Sequence, residues 1–581
     1  MAPSESYVLH AHIPLPRRRL RAPTLMRWVV LAASLGSSGS AFADTRPVVR
    51  GPTAARIDTF MTRVAESGLE GTLLVERDGE VILHRGYGTA DRASGRGAEP
   101  DTPYHIGSLG KQFTATAILK LESEGRLHTS DSLPQWFANV PLDKRRITID
   151  ELLHHSSGLP YLPRGDFDDP LPMDSLVRDI LSYPLSFAPG TRYQYSSPGY
   201  NLLAVIVEKA SGRRFHDYLR TALWRPAGMM STSSEDDSTR WRGRLRTPSY
   251  SGAEADPPIY PVLGRSKRLG AGSVVSTAGD LYRWELALRS GAVLDTAATA
   301  KLFRPAIRVN PTGEYACGWN VVRSQRNTTV IMHGGDLGGF NVDMRRLVDE
   351  HATIIFLSNA RDAGRGYRDA VSFAVTRFLF GPPPEMPPAR VALSTKELAK
   401  WNTSWSVAEG ETVWTVVREG QVYARARSPR ALAMIAGSDS SGRAQELQLS
   451  AKADSVSAWL AAGDLAQAAR VLDASLPDGA RAEMAARWRG RADALGRPIR
   501  LEVLGTAGSG PGSGTTLVRM SGSLGSEVFS LDWIRGYVCN SEIRAEGVIE
   551  LPFVTVSARR IARFDLWAGR TAWLERPDRS S

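Results

Sequence analysis

A run of prolines in the second half of the 581-residue chain sets the strongest limit on how the chain can fold. Five of the eight residues at 381–388 are proline. Proline lacks an amide hydrogen and fixes φ, so this stretch cannot form a helix or a central strand and is typical of a semi-rigid linker. At about 100–200 residues per domain, the chain is long enough for two or three domains. We therefore predict a linker at 382–388 that joins one unit at 44–381 to a smaller unit at 389–581.

The first 43 residues have the pattern of an export signal. Arg27 is followed by an apolar run at 28–35 and then by small residues that end in Ala-Phe-Ala, which is a charged start, a short apolar core and a cleavage site. The run is too short to span a bilayer. We predict a Sec-type signal peptide at 1–43, cleaved after Ala43, with Met26 as an alternative start and a disordered tail as the alternative interpretation. The protein is then periplasmic or secreted, and no later segment is apolar enough to predict an integral membrane span.

Charge and cysteine content narrow the functional classes. The formal net charge is +11, but the basic residues are scattered and are not interleaved with aromatic ones, which argues against nucleic-acid binding. Two cysteines, Cys317 and Cys539, are too few for a disulfide framework or a metal ligand set. We expect free buried thiols, with one long-range disulfide as the alternative. No H-E-x-x-H or comparable cluster occurs, so the sequence predicts neither a metal nor a cofactor.

The first unit has strands at both ends and helices between them. Its periodicity predicts a helix at 54–66 and a hairpin around Asp78-Gly79, a strong turn signal. The hairpin strands, three late strands and a final helix are predicted at 71–76, 80–85, 329–333, 340–347, 352–358 and 368–380. This order predicts an α+β fold, in which one antiparallel sheet built from both ends of the unit is flanked by helices, with an all-helical subregion.

The second unit predicts a small α+β accessory domain. Two Ala-rich helices are predicted at 454–472 and 480–495. Strands are predicted at 414–417, 421–426, 500–504, 516–520, 528–533, 549–557 and 563–574. A Gly/Ser-rich loop at 507–514 lacks the Lys-Ser/Thr end of a phosphate loop and is interpreted as flexible. The unit carries no motif with obvious chemistry.

The chemistry of the chain begins at Ser108 and Lys111. Ser108 precedes a helical run, and Lys111 lies three residues later, so both side chains share one helix face. A hydroxyl is a poor nucleophile until a base takes its proton, and a desolvated lysine amine can be that base. Taken alone, a capping serine followed by a surface lysine explains the same pattern.

Two later motifs support a catalytic interpretation of Ser108 and Lys111. Tyr195, Ser196 and Ser197 lie between a short strand and a helix start, and His333-Gly334-Gly335 ends a strand where glycines would let a substrate approach the backbone. The order S-x-x-K, Y-S-x and H-x-G resembles the class C β-lactamase and serine penicillin-binding protein superfamily, including its esterase and D-amino-acid peptidase branches. Stretches at 147–160, 270–281 and 317–319 are similar to the family too. The resemblance covers roughly residues 55–380 and implies a β-lactamase/transpeptidase-like fold.

The resemblance assigns the reacting groups. Ser108 matches the acylated nucleophile, and Lys111 matches the partner that lowers its proton affinity. Tyr195 matches the family's catalytic tyrosine, which acts as a general base in acylation and later orients or activates the hydrolytic water. Outside this context, Tyr195 would be interpreted as a packed core tyrosine.

The resemblance also implies the binding groups. His333 and Gly335 match the strand of the third motif, and the backbone amides of Ser108 and Asp336 are expected to form the oxyanion hole. His333 is expected to bind a substrate carboxylate or to hydrogen-bond Tyr195. A structural histidine at a strand end is the alternative.

Ser197 departs from the family pattern, which has Asn at this position. An Asn amide can reach both Lys111 and a substrate acyl amide, whereas Ser is shorter and has one hydroxyl. The third motif also carries His333 where lactamases of this class favour Lys. Both differences shift the expectation from β-lactam hydrolysis toward the esterase or peptidase branches. His155 lies in a stretch that the family uses structurally and is given no catalytic role.

The sequence therefore predicts a serine hydrolase that forms an acyl-enzyme through Ser108 on an ester or amide. Its predicted partner is a small-molecule or peptide-like substrate, and the sequence carries no signal for the oligomeric state. Two alternatives stay open. One is a penicillin-binding or cell-wall peptidase-like protein that acylates but turns over slowly, and the other is a pseudoenzyme whose fold serves binding.

Overall fold

A computed structural model gives the fold of most of the chain. The described residues are 46–161, 171–237, 247–250, 255–256, 268–310, 312–362, 365–408, 411–418, 420–426, 428–436, 448–456, 458, 467, 488–496, 498–508, 514–534, 537–543, 549–565 and 570–575. The predicted signal peptide and its cleavage site lie outside them. Within the described residues, no helix has the length and apolar character needed to cross a membrane.

Both ends of the region at 46–381 contribute to one nine-stranded antiparallel sheet. Across the sheet, the strands are Val48–Val49, Glu80–Tyr87, Gly71–Arg77, Ala352–Ser358, Phe340–Leu347, Thr329–Leu337, Asn320–Arg323, Gly313–Tyr315 and Ile307–Asn310. The predicted hairpin is confirmed: Asp78 and Gly79 both have positive φ at its turn, as Asp-Gly hairpin turns require. The three late strands are confirmed too, and the first of them extends to Leu337.

The two faces of this sheet carry different elements. Side chains alternate between faces along each strand, so Leu73 joins one apolar cluster and Leu74 joins the other. The face that bears Leu73, here called the back face, is covered by the helices Gly51–Ala65 and Arg368–Phe380. Both helices are predicted from the sequence, and both are confirmed. The face that bears Leu74, here called the front face, packs against the helical middle of the chain.

The helical middle surrounds the helix Lys111–Ser123, here called the nucleophile helix. Ten of its 13 residues are buried. The helices of this region are Lys111–Ser123, Leu133–Trp136, Ile149–Leu153, Met173–Leu181, Ser197–Ser211, Phe215–Tyr218, Leu269–Gly272, Ala278–Ser290 and Thr296–Phe303, with helical turns at Gly107–Gly110, Leu142–Lys144 and Leu219–Trp224. Three small sheets join Thr89–Asp91 to Arg96–Gly97, Arg361–Asp362 to Arg365–Gly366, and Val274–Ser276 to both Tyr104–His105 and Ser233–Ser234.

Local capping fixes the ends of the helix that follows Tyr195. The Ser196 hydroxyl accepts a hydrogen bond from the Gly199 amide at 3.1 Å, which is the usual N-cap contact. The helix Ser197–Ser211 ends at Gly212, which has φ of +69°, as a glycine C-cap does. The second motif therefore lies at a sharply defined helix start.

The described residues of the range 389–575 form two further antiparallel sheets. The six-stranded sheet takes Thr403–Ala408, Glu411–Arg418, Gln421–Ala426, Ile549–Thr555, Arg560–Asp565 and Arg570–Glu575. The four-stranded sheet, Arg500–Gly508, Gly514–Gly522, Gly525–Ile534 and Tyr537–Ile543, is inserted between its two halves. Short helices lie at Thr395–Ala399 and Pro429–Ala436. The predicted α+β class is confirmed, with two separate apolar clusters.

Several details of that region differ from the prediction. The segment at 563–574 is two paired strands, Arg560–Asp565 and Arg570–Glu575, and not one. Asp565 and Gly569, which flank the apolar Leu-Trp-Ala at 566–568, are turn signals that the prediction did not use. The strands Thr403–Ala408 and Tyr537–Ile543 and the short helices Thr395–Ala399 and Pro429–Ala436 are absent from the prediction. The two Ala-rich helices predicted at 454–472 and 480–495 lie mostly outside the described residues.

The proline-rich segment contacts the back-face helices. Arg63 donates a hydrogen bond to the carbonyl oxygen of Pro387 at 2.8 Å, and Met386 packs against the back-face cluster. This part of the segment is therefore anchored to the sheet region. The linker and the domain boundary at 382–388 stay a prediction.

Candidate active site

The first motif places Ser108 in a tight turn before the nucleophile helix. The turn Gly107–Gly110 leads directly into Lys111–Ser123. Gly107 has φ of +48°, a left-handed conformation that glycine adopts without strain. Gly107 and Leu109 are buried, whereas Ser108 is partly exposed. The serine side chain is therefore the part of this turn that solvent reaches.

Lys111 is buried among uncharged groups. Its side-chain nitrogen lies 3.1 Å from Ser108 Oγ, 3.5 Å from Ser197 Oγ and 2.8 Å from the carbonyl oxygen of Ala271. The residue is 0% exposed. Desolvation therefore lowers the pKa of Lys111 well below its usual 10.5. A neutral amine is favoured beside the serine hydroxyl.

The hydrogen bonds of Lys111 suit a neutral amine. A carbonyl oxygen can only accept, so one N–H of Lys111 points at Ala271. A second N–H can be donated to Ser197, which leaves the nitrogen lone pair for the Ser108 hydroxyl. The sequence analysis assigned no role to Ala271, although it lies in a stretch noted for its family resemblance. A backbone carbonyl leaves no side-chain signature in the sequence.

Tyr195 brings a second group to the serine. Its phenol hydrogen-bonds with Ser108, and the Lys111 nitrogen lies 4.7 Å from the centroid of its ring. Burial in the pocket, together with neighbouring tyrosines, raises the pKa of Tyr195 well above 10. The phenol therefore stays protonated. The structure brings Ser108, Lys111 and Tyr195 together, as the sequence predicts.

His155 holds the loop that carries Tyr195. It is fully buried, with φ of +59°. Its carbonyl accepts from the Gln194 amide at 2.8 Å, and its Nδ1 accepts from the Ser196 amide at 3.0 Å. Desolvation and the nearby Lys111 lower the pKa of His155 well below 6.5, so the ring is neutral. These contacts are structural, as the family resemblance implies for this stretch.

Ser197 makes a weaker contact with Lys111 than the other partners do. Its amide donates to the Tyr161 carbonyl at 2.9 Å, which fixes the start of the helix. Its hydroxyl reaches Lys111 at 3.5 Å, longer than a typical N–H···O contact. The short serine side chain therefore gives Lys111 limited support.

His333 hydrogen-bonds Tyr315. Its Nε2 lies 3.1 Å from Tyr315 Oη, and its Nδ1 lies 2.6 Å from the Gly334 carbonyl oxygen. Its ring centroid is 6.2 Å from that of Tyr195. Desolvation, with a smaller contribution from Lys111, lowers the pKa of His333 to about 3. The sequence analysis missed Tyr315, which lies just before the noted Cys317-Gly318-Trp319 stretch.

Gly335 lets the nucleophile turn approach the third motif. The strand Thr329–Leu337 pairs with Asn320–Arg323 only in its first four residues. The nucleophile turn lies against the strand beyond them: a Cβ atom on Gly335 would fall 1.9 Å from the carbonyl oxygen of Ile106. No other residue fits this position without moving the turn.

The backbone of Asp336 faces the same turn. Leu337 and Phe340 close a two-residue hairpin and form a hydrogen-bonded pair. The adjacent residue, Asp336, therefore directs its N–H away from the neighbouring strand. On that side, a Cβ atom on Gly107 would lie 3.2 Å from the Asp336 nitrogen. This is the orientation that the predicted oxyanion hole requires of Asp336.

The side chain of Asp336 lies on the back face and is 42% exposed. Arg361 and Arg368 both pair with its carboxylate, and Asn341 donates a hydrogen bond to it at 2.6 Å. Arg368 begins the last back-face helix. The third motif is therefore tied to the back face by charged groups.

Cys317 is a free, buried thiol, as predicted. Its sulfur lies 3.4 Å from Nε2 of His154. The side chain of Cys539 lies outside the described part of the structure. Where the structure describes the chain, no group of three or more His, Cys, Asp or Glu residues is placed to hold a metal ion.

Comparisons with known proteins identify the family of the chain. A family model described as "Beta-lactamase" matches residues 54–377. "Penicillin-binding protein 4*" of Bacillus subtilis (strain 168) is 28% identical over 395 residues, which cover 63% of this chain and 85% of that protein. "Unguisins hydrolase ungD'" of Aspergillus campestris (strain IBT 28561) is 28% identical over 296 residues, which cover 46% of this chain and 54% of that protein.

A solved structure shows the same fold. The octameric penicillin-binding protein homologue from Pyrococcus abyssi superposes with a TM-score of 0.50 at 22% identity, covering 64% of this chain and 87% of that one. The family match spans more than half of the chain and contains all three motifs. The chain therefore belongs to the beta-lactamase family.

Proposed function

We propose that this protein is a serine hydrolase that forms an acyl-enzyme through Ser108 on an ester or amide, including peptide-like amides. One observation carries the proposal: the nitrogen of the fully buried Lys111 lies 3.1 Å from Ser108 Oγ among uncharged partners. A desolvated amine of this kind acts as a base, and a serine hydroxyl needs a base to become a nucleophile.

In acylation, Lys111 accepts the hydroxyl proton as Ser108 Oγ attacks the acyl carbon. The negative charge on the tetrahedral intermediate faces the amides of Ser108 and Asp336. Tyr195 donates its proton to the leaving group, and the proton on Lys111 then restores the phenol. The raised pKa of Tyr195 favours this donor role over the base role that the family resemblance implies.

In deacylation, a water molecule takes the place of the leaving group. Lys111 accepts a proton from the attacking water, and Tyr195 returns a proton to Ser108 Oγ as the acyl bond breaks. The proton on Lys111 again restores the phenol, so each cycle ends with both groups as they began. His333 has both ring nitrogens engaged and is neutral, which supports positioning of the strand over binding of a substrate carboxylate.

A second candidate is a protein that is acylated by β-lactams or cell-wall peptides and turns over slowly. The 3.5 Å contact from Ser197 to Lys111 favours it, because a loosely held amine is less effective when it must activate water. Deacylation rates measured with a chromogenic cephalosporin and a short acyl ester separate the two candidates. Rapid release of the ester acyl group supports the hydrolase.

The test of the first candidate is labelling by a fluorophosphonate probe. We expect the wild-type protein to be labelled and Ser108→Ala to stay unlabelled while it keeps the wild-type thermal melt. Equal labelling of both proteins would reject Ser108 as the nucleophile. An unlabelled wild type that also hydrolyses no ester or amide would favour the pseudoenzyme.

We also propose a periplasmic or secreted location, supported by the signal pattern at 1–43, and an accessory role for residues 389–581. N-terminal sequencing of the protein from fractionated cells tests the first: a mature chain that begins at Asp44 is expected. A cytoplasmic chain that still begins at Met1 or Met26 would contradict it.

A further inference from the structure

A buried histidine and glutamate lie directly behind the nucleophile turn. His105 is three residues before Ser108. Its Nε2 lies 2.6 Å from Glu235 Oε2, and its Nδ1 accepts a hydrogen bond from the Gly107 amide at 3.2 Å. Both side chains are less than 5% exposed. His105 begins the sequence stretch that carries Ser108 and Lys111, but the sequence predicts no role for His105 or Glu235.

These contacts fix the tautomer of the His105 ring. A backbone N–H can only donate, so the Nδ1 atom that accepts from Gly107 carries a lone pair. The ring hydrogen therefore lies on Nε2 and is donated to Glu235. If this hydrogen moved to Nδ1, the Gly107 amide would lose its acceptor inside the protein.

Glu235 is held as the acceptor for that hydrogen. Arg268, also buried, lies 3.2 Å from its carboxylate. Burial alone would raise the pKa of Glu235, but the hydrogen bond from His105 and the charge of Arg268 lower it below its usual 4.5. A carboxylate therefore faces Nε2 throughout the physiological range.

The pair is built into one small sheet. Tyr104–His105 pairs with Val274–Ser276, which also pairs with Ser233–Ser234 just before Glu235. The Glu235 amide donates to the Ser273 carbonyl at 3.0 Å. Both side chains therefore project from anchored backbone, and the contact with Gly107 is pre-organised.

We propose that His105 and Glu235 are positioning residues of the nucleophile turn. Glu235 selects the tautomer in which His105 binds the Gly107 amide, and this contact orients the adjacent Ser108 amide and hydroxyl. The proposal rests on the proposed role of Ser108. It assigns His105 no contact with substrate, so its loss should lower kcat and leave KM nearly unchanged.

The sharpest test is the matched pair His105→Asn and His105→Leu. Both variants lose the contact with Glu235, but an Asn side-chain oxygen can still accept from the amide two residues later. We expect His105→Leu to acylate about 10²-fold more slowly, the effect of a misplaced reacting group. We expect His105→Asn to keep at least about a third of the wild-type rate, because it retains the acceptor.

The measurements are the rate of fluorophosphonate labelling, kcat and KM for a p-nitrophenyl ester, and the thermal melt of each variant. Equal losses in the two variants, or wild-type acylation in His105→Leu, would overturn the proposal. If the wild type shows no labelling that depends on Ser108, the proposed function fails. If the wild type is active and the two variants do not differ, only the positioning role of His105 fails.

A second measurement determines the tautomer of His105 in the wild-type protein. In 15N-histidine-labelled wild type, the signal missing from His105→Asn should report hydrogen on Nε2 and a lone pair on Nδ1. A ring with hydrogen on Nδ1 would contradict the proposal even if His105→Leu fails to fold. Glu235→Gln keeps an oxygen that accepts from Nε2 and should retain this tautomer, whereas Glu235→Leu removes the acceptor and should lose the preference. A Glu235→Leu protein that keeps hydrogen on Nε2 would overturn the role of Glu235.

Discussion

The front and back faces of the strand Thr329–Leu337 differ in whether their ionisable groups are paired with opposite charges. On the front face, His333 is neutral and lies near Lys111, whose hydrogen-bond partners are all uncharged. On the back face, Asp336 is paired with two arginines. The back-face ion-pair network contains three carboxylates and three guanidiniums: Asp336, Asp343, Asp369, Arg345, Arg361 and Arg368.

This difference assigns proton transfer to the front face of the strand and structural support to its back face. Burial would raise the pKa of Asp336, but the charges of Arg368 and Arg361 lower it, so its carboxylate stays ionised and anchors the strand on the back face. A buried amine without a counter-charge is costly as a cation and therefore available as a base. The strand therefore has ion pairs on its back face, which hold it in place, and the Lys111 amine on its front face, which has no counter-charge and can act as a base.

Removal of the front-face amine should have the largest effect. We expect Lys111→Met to lower kcat/KM about 10³-fold, because a general base contributes about 10²–10⁴-fold. The free energy of unfolding should stay the same or rise, since methionine avoids the desolvation of a lysine. Ester hydrolysis and thermal melts measure the two quantities.

The control is Lys111→Arg, which keeps a positive charge but cannot release its proton. If Lys111 acts as a base, this variant should fail as badly as the methionine variant. If it acts only as a fixed cation, the arginine variant should retain activity. Substantial hydrolysis by Lys111→Arg would therefore remove the central contrast between the two faces.

Alanine substitutions of Gly335 and Gly334 test the same difference between the two faces, because each adds a methyl group on one face of the strand. Gly335→Ala places a methyl group 1.9 Å from the Ile106 carbonyl oxygen, and backbone there must move. We expect about 10²-fold lower acylation and a loss of about 1–3 kcal/mol in the free energy of unfolding. Probe-labelling rates and denaturant titration measure these effects.

Gly334→Ala is the matched variant on the back face. Its methyl group would meet the Arg368 guanidinium at 2.8 Å, the far end of a flexible side chain that can shift. Acylation should change by no more than about threefold, as for a substitution outside the reacting groups. Equal damage from both alanines would show that the strand, and not its front face, sets the rate.

The pH dependence should follow Lys111. The neutral amine is the reactive form, so kcat/KM should rise with pH through the lowered pKa of Lys111. In the unfolded chain, lysine stays protonated up to its usual 10.5, so the unfolded state binds more protons between the two pKa values. The free energy of unfolding should therefore rise with pH in this window, by up to about 1.4 kcal/mol per unit.

Denaturant titrations at about pH 6 and about pH 9 measure that slope. Lys111→Met should reduce the slope of the unfolding free energy against pH, and Tyr195→Phe should leave that slope unchanged. A slope that survives in the methionine variant would assign it to other groups. It would then no longer support a lowered pKa for Lys111.

The sequence predicts the local parts of this architecture well. Ser108 and Lys111 lie on one helix face, and the Asp78-Gly79 hairpin is fixed by its turn residues, so short-range rules are enough. The five longest strands of the nine-stranded sheet follow from their alternating patterns. Its four shortest strands, Val48–Val49, Ile307–Asn310, Gly313–Tyr315 and Asn320–Arg323, are absent from the prediction. The break within 563–574 is marked only by Asp565 and Gly569, which are separated by three apolar residues and do not form a short turn dipeptide.

Long-range partners could not be predicted. The carbonyl oxygen of Ala271 contacts Lys111 from 160 residues away, and a backbone atom gives no pattern. Tyr315 reaches His333 through the pairing of three strands, each of which had to be placed correctly first. The pairing of His105 with Glu235 depends on a sheet of two- and three-residue strands, too short for a periodic signal.

The smallest effect is expected on the back face. Asp336→Asn removes the charge that Arg361 and Arg368 share, yet an asparagine still accepts one hydrogen bond from them. Because the Asp336 side chain is 42% exposed, the loss in the free energy of unfolding should be about 1 kcal/mol or less. Acylation should fall by only a few-fold, since the backbone amide remains in the strand. Asp369→Asn, in the same network but outside the strand, is the control: it should cost similar stability and leave acylation unchanged. If both variants slow acylation equally, the network acts as a whole on the site, and the two faces are less independent than their charges indicate.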